Sequence, residues 1–274
     1  MSELLTYVYA VARRAEGLEQ ATHSLKGVAD ASVHVVAAEG DDDTVLLASR
    51  VPAEDFAEDG LKRHLEDLDW LEAVARAHNA VVEAVATHTT VLPFRLATVY
   101  LNDARAREEV LNGGGKAVLS KRLALLAEQV EWGVKIYVEP PAASAAAAEP
   151  ASTAGLSAGR AYLRNRRHQQ SARDIVYRAA QLAAERVEVV GREYATDRAR
   201  HGVQQGVLAR DAGENIVNDA YLVPRERGEE FRAAVTHTGE GLDGVRVEVT
   251  GPWAPYSFVL PPDSPGGVAE EAAS

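Results

Sequence analysis

The sequence predicts an α+β protein of two domains, and three observations carry that reading. Short β-branched and aromatic runs alternate with stretches whose apolar residues recur every three or four positions. The length, 274 residues, exceeds one ordinary domain of roughly 100 to 200 residues. In mid-chain, PPAASAAAAEPASTAG (Pro140 to Gly155) is rich in Ala, Pro and Ser and has no periodicity, the composition of a linker or insertion. The expected division is therefore 1–139 for a first domain, 140–156 for the linker, 157–260 for a second domain and 261–274 for a flexible tail. The first domain has the layout of a split βαβ, ferredoxin-like fold. The second is a helix-rich α+β domain for which a modified version of the same layout is open.

The elements justify this in order. LLTYVYAVA (Leu4 to Ala12) suits a first strand, with Tyr7 and Tyr9 on one face. Val33 to Pro52 reads as two strands around an acidic turn. From Pro52 to Ala86, Phe56, Leu61, Leu65, Leu68, Leu71, Val74, Val81, Val82 and Val85 fall at helical steps, with Asp69 as the expected N-cap of a second helix. TTVLPFRLATVYL (Thr89 to Leu101) is strand-like, and Pro93 restricts that part to an edge, a bulge or a strand start. A short helix opens on Asp103 and stops at Gly113 to Gly115. Lys116 to Trp132 reads as an amphipathic helix, and Val134 to Glu139 as a short strand.

Beyond the linker, Leu156 to Gly202 is one long helical region with an expected break near Gly191. Its expected apolar stripe is Leu163, Ile175, Val176, Leu182, Val187 and Val190. Asn215 to Pro224 is a strand, the stretch after Pro224 a helix closed by Gly239, and Val245 to Gly251 alternates with period two.

Composition narrows the function. A net charge of −12 argues against nucleic acid, whose recognition requires neutralised phosphates. Cysteine is absent, which removes disulfides, thiolate nucleophiles and zinc–thiolate sites. There is no basic n-region before the first apolar residues and no apolar run of about 18 residues. A soluble cytoplasmic protein is expected, without membrane contact.

Apparent catalytic motifs weaken on inspection. GLSAG (Gly155 to Gly159) matches the nucleophile elbow, which would make a small serine hydrolase of Ser157. That elbow needs a core strand before it, and linker composition precedes it here; the plainer reading has Ser157 capping the long helix. NGGGKAVLSK lacks the Walker spacing. The histidines have no metal-ligand spacing, and EGDDDT lacks the calcium-loop order. No catalytic residue, cofactor or metal is expected. One charge feature opposes the acidic background: Arg160, Arg164 and Arg167 lie along one side of the long helix. They form either a solvated face or a docking face for an acidic partner.

The remaining signal is TGPWAPYSFV (Thr250 to Val259), which crowds Trp253, Tyr256 and Phe258 between prolines. Together with TYVYAV, TTVLPFRLATVY, GRAYL, NDAYLV and the phenylalanine of EEFRAAV, it makes the chain resemble the gas vesicle protein F/L family over nearly its whole length. Two positions depart from the family pattern: Leu96-Ala97 where Phe-Gly is common, and Ala254 where Pro is common. The resemblance implies a non-enzymatic accessory protein of gas vesicle formation in the cytoplasm, associated with vesicles as an assembly factor or minor structural protein. It implies the hydrophobic shell protein and other accessory proteins as partners, and α+β domains of modified ferredoxin-like fold. Trp253, Tyr256 and Phe258 then either contact the shell protein or close a core. The alternative is a salt-sensitive scaffold that bridges accessory proteins only.

Overall fold

The computed structural model describes residues 3–38, 41–113, 115–139, 158–203 and 213–259. The expected linker at 140–156, Ser157 and the tail at 261–274 lie outside these residues. The chain divides into two compact units: one comprises Met1–Val130 with the segment from Trp253 onward, the other Glu131–Pro252. Each contains helices and one antiparallel sheet.

The first unit is built on β1 (Leu4–Arg13), a strand buried along almost all its length. β2 (Val33–Ala38) and β3 (Asp41–Pro52) form the expected hairpin, and β4 (Val91–Pro93) and β5 (Val99–Tyr100) pair with β1 on its other side. The order is β2-β3-β1-β4, antiparallel at each pairing. α1 (Leu18–His23) crosses from β1 to β2, and α2 (Ala53–Phe56), α3 (Glu58–His64) and α4 (Leu68–Ala86) connect β3 to β4. Pro93 ends a three-residue edge strand, one of the positions its missing N–H allows.

A bulge at Tyr9 shapes the core. Val8 pairs with Ala48 and Ala10 with Leu47, so Tyr9 is the extra residue. The slip changes which parity faces inward, and Tyr7, Tyr9, Ala10 and Ala12 all join one apolar cluster. Phe56, Val74, Val81, Val82 and Val85 complete it from the helices. The Tyr9 hydroxyl reaches the Val28 amide at 2.9 Å, a path open because residue 27 is glycine: a Cβ there would lie 2.1 Å from that oxygen. α4 is capped by Asp67, whose carboxylate accepts from the Trp70 amide at 3.1 Å, two residues before the expected cap. After β5, α5 (Asp103–Ala106), a π-helical turn (Arg107–Asn112) and α6 (Lys116–Leu126) contact the same sheet. Asn102, rather than Asp103, caps α5.

The second unit orders its sheet β7-β8-β6-β9. β6 (Gln129–Val138) begins five residues before the expected strand, and α6 ends earlier to match. The reversal at Glu128, with φ of 56°, stops the helix, and from Val130 through Trp132, Val134 and Ile136 to Val138 alternate residues are buried. α7 (Ala158–Tyr194) runs unbroken through Gly191 and is followed by β7 (Asp197–Arg200), where helix was expected to continue. Gly191 is a contact rather than a break: a Cβ there would lie 2.4 Å from a ring carbon of Tyr221. β8 (Glu214–Pro224), α8 (Gly228–His237) and β9 (Val245–Trp253) complete the unit. Phe231 centres its core, with the rings of Tyr221, Trp132 and Tyr194 at 5.4, 6.4 and 6.4 Å.

Candidate partner-binding site

The aromatic segment that closes the described chain belongs to the first unit from Trp253 onward. Its side chains alternate between buried and exposed. Ala254 joins the apolar cluster around Tyr7, and Phe258 is 4% exposed. Between and before them, Tyr256 is 37% and Trp253 46% exposed. The backbone is tightly held, with the Tyr256 amide donating to the Ala254 carbonyl at 2.8 Å and that of Phe258 to Pro255 at 3.2 Å. The Tyr256 hydroxyl donates to the Asn79 side chain on α4 at 2.8 Å. The result is an indole presented to solvent from a backbone whose neighbours are anchored inside.

Beneath the clasp lies a polar network. His78, one helical position before Asn79, is fully buried, and its ring centroid is 6.2 Å from that of Tyr256 and 5.5 Å from Tyr9. Its Nδ1 is 3.0 Å from the Tyr7 hydroxyl, which also accepts from the Ala97 amide at 3.1 Å. With one lone pair engaged by that amide, the hydroxyl and Nδ1 share a single hydrogen bond whose direction is set by the ring tautomer. Nε2 has no hydrogen-bond partner. Burial lowers the His78 pKa to about 4, with the Phe94 carbonyl pulling weakly the other way. Burial likewise raises that of Tyr7, against the Ala97 amide. Both groups are neutral at pH 7.

The loop Phe94–Thr98 wraps this network. The Phe94 amide donates to the Tyr9 carbonyl at 2.8 Å and the Val8 amide to Thr98 at 2.9 Å, while Arg95 and Leu96 are exposed at the tip. Ala97 adopts a φ of 59°, a left-handed conformation that favours glycine. The three motifs TYVYAV, TTVLPFRLATVY and PWAPYSFV therefore meet around His78.

Phe258 faces inward and offers no surface; Trp253 and Tyr256 do. The arginines lie in the other unit, on α7: Arg164 is half-buried, Arg167 exposed, and the Arg160 side chain lies outside the described ones. Among the described residues no His, Asp or Glu cluster is placed to hold a metal ion, and no helix is long and apolar enough to cross a membrane. His78 and Asn79 are the residues that motif reading missed, while Ala97 enters it only as a departure from the family pattern. The signal for His78 was its place in the α4 stripe, four residues after Val74 and three before Val81.

The family model "Gas vesicle synthesis protein GvpL/GvpF" matches residues 5–260. The chain is 40% identical to gas vesicle protein L of Streptomyces sp. (strain CB03234) over 271 residues, covering 98% of this chain and 96% of that one. It is 29% identical to gas vesicle protein F2 of Halobacterium salinarum over 198 residues, 70% of this chain and 71% of the relative. The fold is similar to the crystal structure of GvpF from Anabaena sp. PCC7120, with a TM-score of 0.62 at 18% identity over 94% of this chain and 96% of that one. GvpF from Microcystis aeruginosa gives 0.60 at 20% identity over 93% and 99%.

Proposed function

Because the chain belongs to the gas vesicle synthesis protein GvpL/GvpF family, and so takes part in gas vesicle formation, we propose that it is a cytoplasmic assembly factor that binds the hydrophobic shell protein. Trp253 is the principal contact, Tyr256 forms its rim, and Ala254 and Phe258 are the anchors that hold both in place. The observation that carries this is the 46% exposed indole on an anchored backbone. Tryptophan and tyrosine dominate interface energetics, and fixing them in advance reduces the ordering cost of association. A shell subunit with a large unassembled apolar surface aggregates, and a soluble acidic partner that covers it keeps it in solution. The antiparallel order β2-β3-β1-β4 with helical crossovers supports a ferredoxin-like reading of the first unit.

Co-expression with the gas vesicle shell protein, followed by pull-down at low and high salt, tests the reading. Soluble co-purification that survives high salt, and is lost in Trp253→Ala while the fold is kept, is the expected result. Loss of binding at high salt with no effect of Trp253→Ala would favour the second reading. In that case the α7 arginines of the sequence reading, Arg160, Arg164 and the exposed Arg167, bridge acidic accessory proteins and the aromatic segment is a latch only.

A further inference from the structure

α7 buries one face and leaves an apolar line on the other. Ala180, Ala183, Val187 and Gly191 are turned into the second unit. Ile175, Leu182 and Val189 are 64%, 41% and 55% exposed. They are seven residues apart, which on an α-helix drifts by only about 20° per step, so the three form one stripe with roughly 10 Å between members. Arg178 and Glu185 are both exposed and flank this stripe on the same side.

We propose that this stripe is the seam of an antiparallel dimer, in which α7 pairs with α7 of a second copy about a two-fold axis at Leu182. The stripe is complementary to itself. The two-fold sets Leu182 against Leu182 of the second copy and Ile175 against its Val189, on both sides of the axis. In an antiparallel pair equivalent flanks face each other, so Arg178 comes beside Glu185 of the second copy, again twice. A uniformly acidic or uniformly basic partner would leave one of these charges opposed by its like, whereas a second copy satisfies both. Isologous two-fold contacts are also the commonest arrangement of soluble oligomers.

The chain contains no cysteine, so single cysteines report the register directly. Sedimentation should show mass above the 29.4 kDa monomer, rising toward twice that value with concentration. Leu182→Glu, which enters the seam twice, should weaken association at least about a hundredfold with an unchanged circular dichroism spectrum. Leu182→Cys should form a covalent dimer under mild oxidation. Ile175→Cys alone and Val189→Cys alone should not, while a mixture of the two should. A wild-type protein that stays monomeric at all concentrations overturns the proposal. So does a dimer that Leu182→Glu leaves intact, or one in which Leu182→Cys fails to cross-link.

Discussion

His78 gives the first unit an acid sensitivity whose size follows from its position. The folded ring stays neutral down to about pH 4, whereas in the unfolded chain it takes a proton near 6.5. Between these values only the unfolded state gains a proton, so acid favours unfolding. The contribution is complete above about pH 6.5 and falls by up to about 1.4 kcal/mol per pH unit, roughly 3 kcal/mol by pH 4. His78→Asn removes the titration while retaining an oxygen that can accept from Tyr7. At pH 7 the variant should be the less stable protein, having lost buried ring contacts. As pH falls to 4 the gap should close by about 3 kcal/mol. Urea-dependent hydrogen exchange of the Tyr7–Ala12 amides reads the unit that contains the ring. A gap that stays constant from pH 7 to 4 would refute the reasoning, since every other titrating group is common to both proteins.

Four further outcomes are expected. Ala97→Gly should stabilise the first unit by about 0.5 kcal/mol in urea denaturation, because the left-handed φ of 59° costs alanine more than the added freedom of the unfolded glycine chain. Gly191→Ala should destabilise the second unit by about 1 to 3 kcal/mol despite a helix propensity gain of about 1, since the new methyl meets Tyr221 at 2.4 Å; a raised thermal midpoint would contradict this. Phe258→Ala should cost about 3 to 5 kcal/mol, and the exposed Trp253→Ala less than about 1, in the same denaturation assay. Tyr256→Phe should cost about 0.5 to 1.5 kcal/mol, and Asn79→Ala should add little on top of it in a double-mutant cycle.

Much of this structure was written in periodicity. Runs of β-branched and aromatic residues bounded by turn signals located β1, the β2–β3 hairpin and β8, and alternation located β9. Pro93 marked an edge for the plain reason that it has no N–H to donate. Large apolar residues misled at α7. Ile175 and Leu182 were expected on the apolar stripe, yet they face solvent; of that stripe Val187 is buried, and it shares the packed face with Ala180, Ala183 and Gly191. Small residues let the Tyr221 ring approach the helix closely, and a hydrophobicity pattern gives them little weight. Strand β6 was read late because Val130 and Trp132 also fit a continuing helix until the turn at Glu128 is known. At the candidate site, the aromatic segment was visible as composition. Its division into anchors and exposed rings was not, because that depends on Asn79 and His78, more than 170 positions earlier.

The discontinuity of the first unit also bears on how the protein is born. Ala254 packs into a core whose other buried members are all complete by Val91, and Phe258, four residues further on, is buried too. A ribosome that adds about 5 to 20 residues per second takes on the order of ten seconds to travel from there to the aromatic segment. Throughout that interval the nascent chain lacks the segment that supplies Ala254 to the cluster and the Tyr256 ring beside His78. The second unit is synthesised entirely within that wait, so the half that starts first is the half that finishes last.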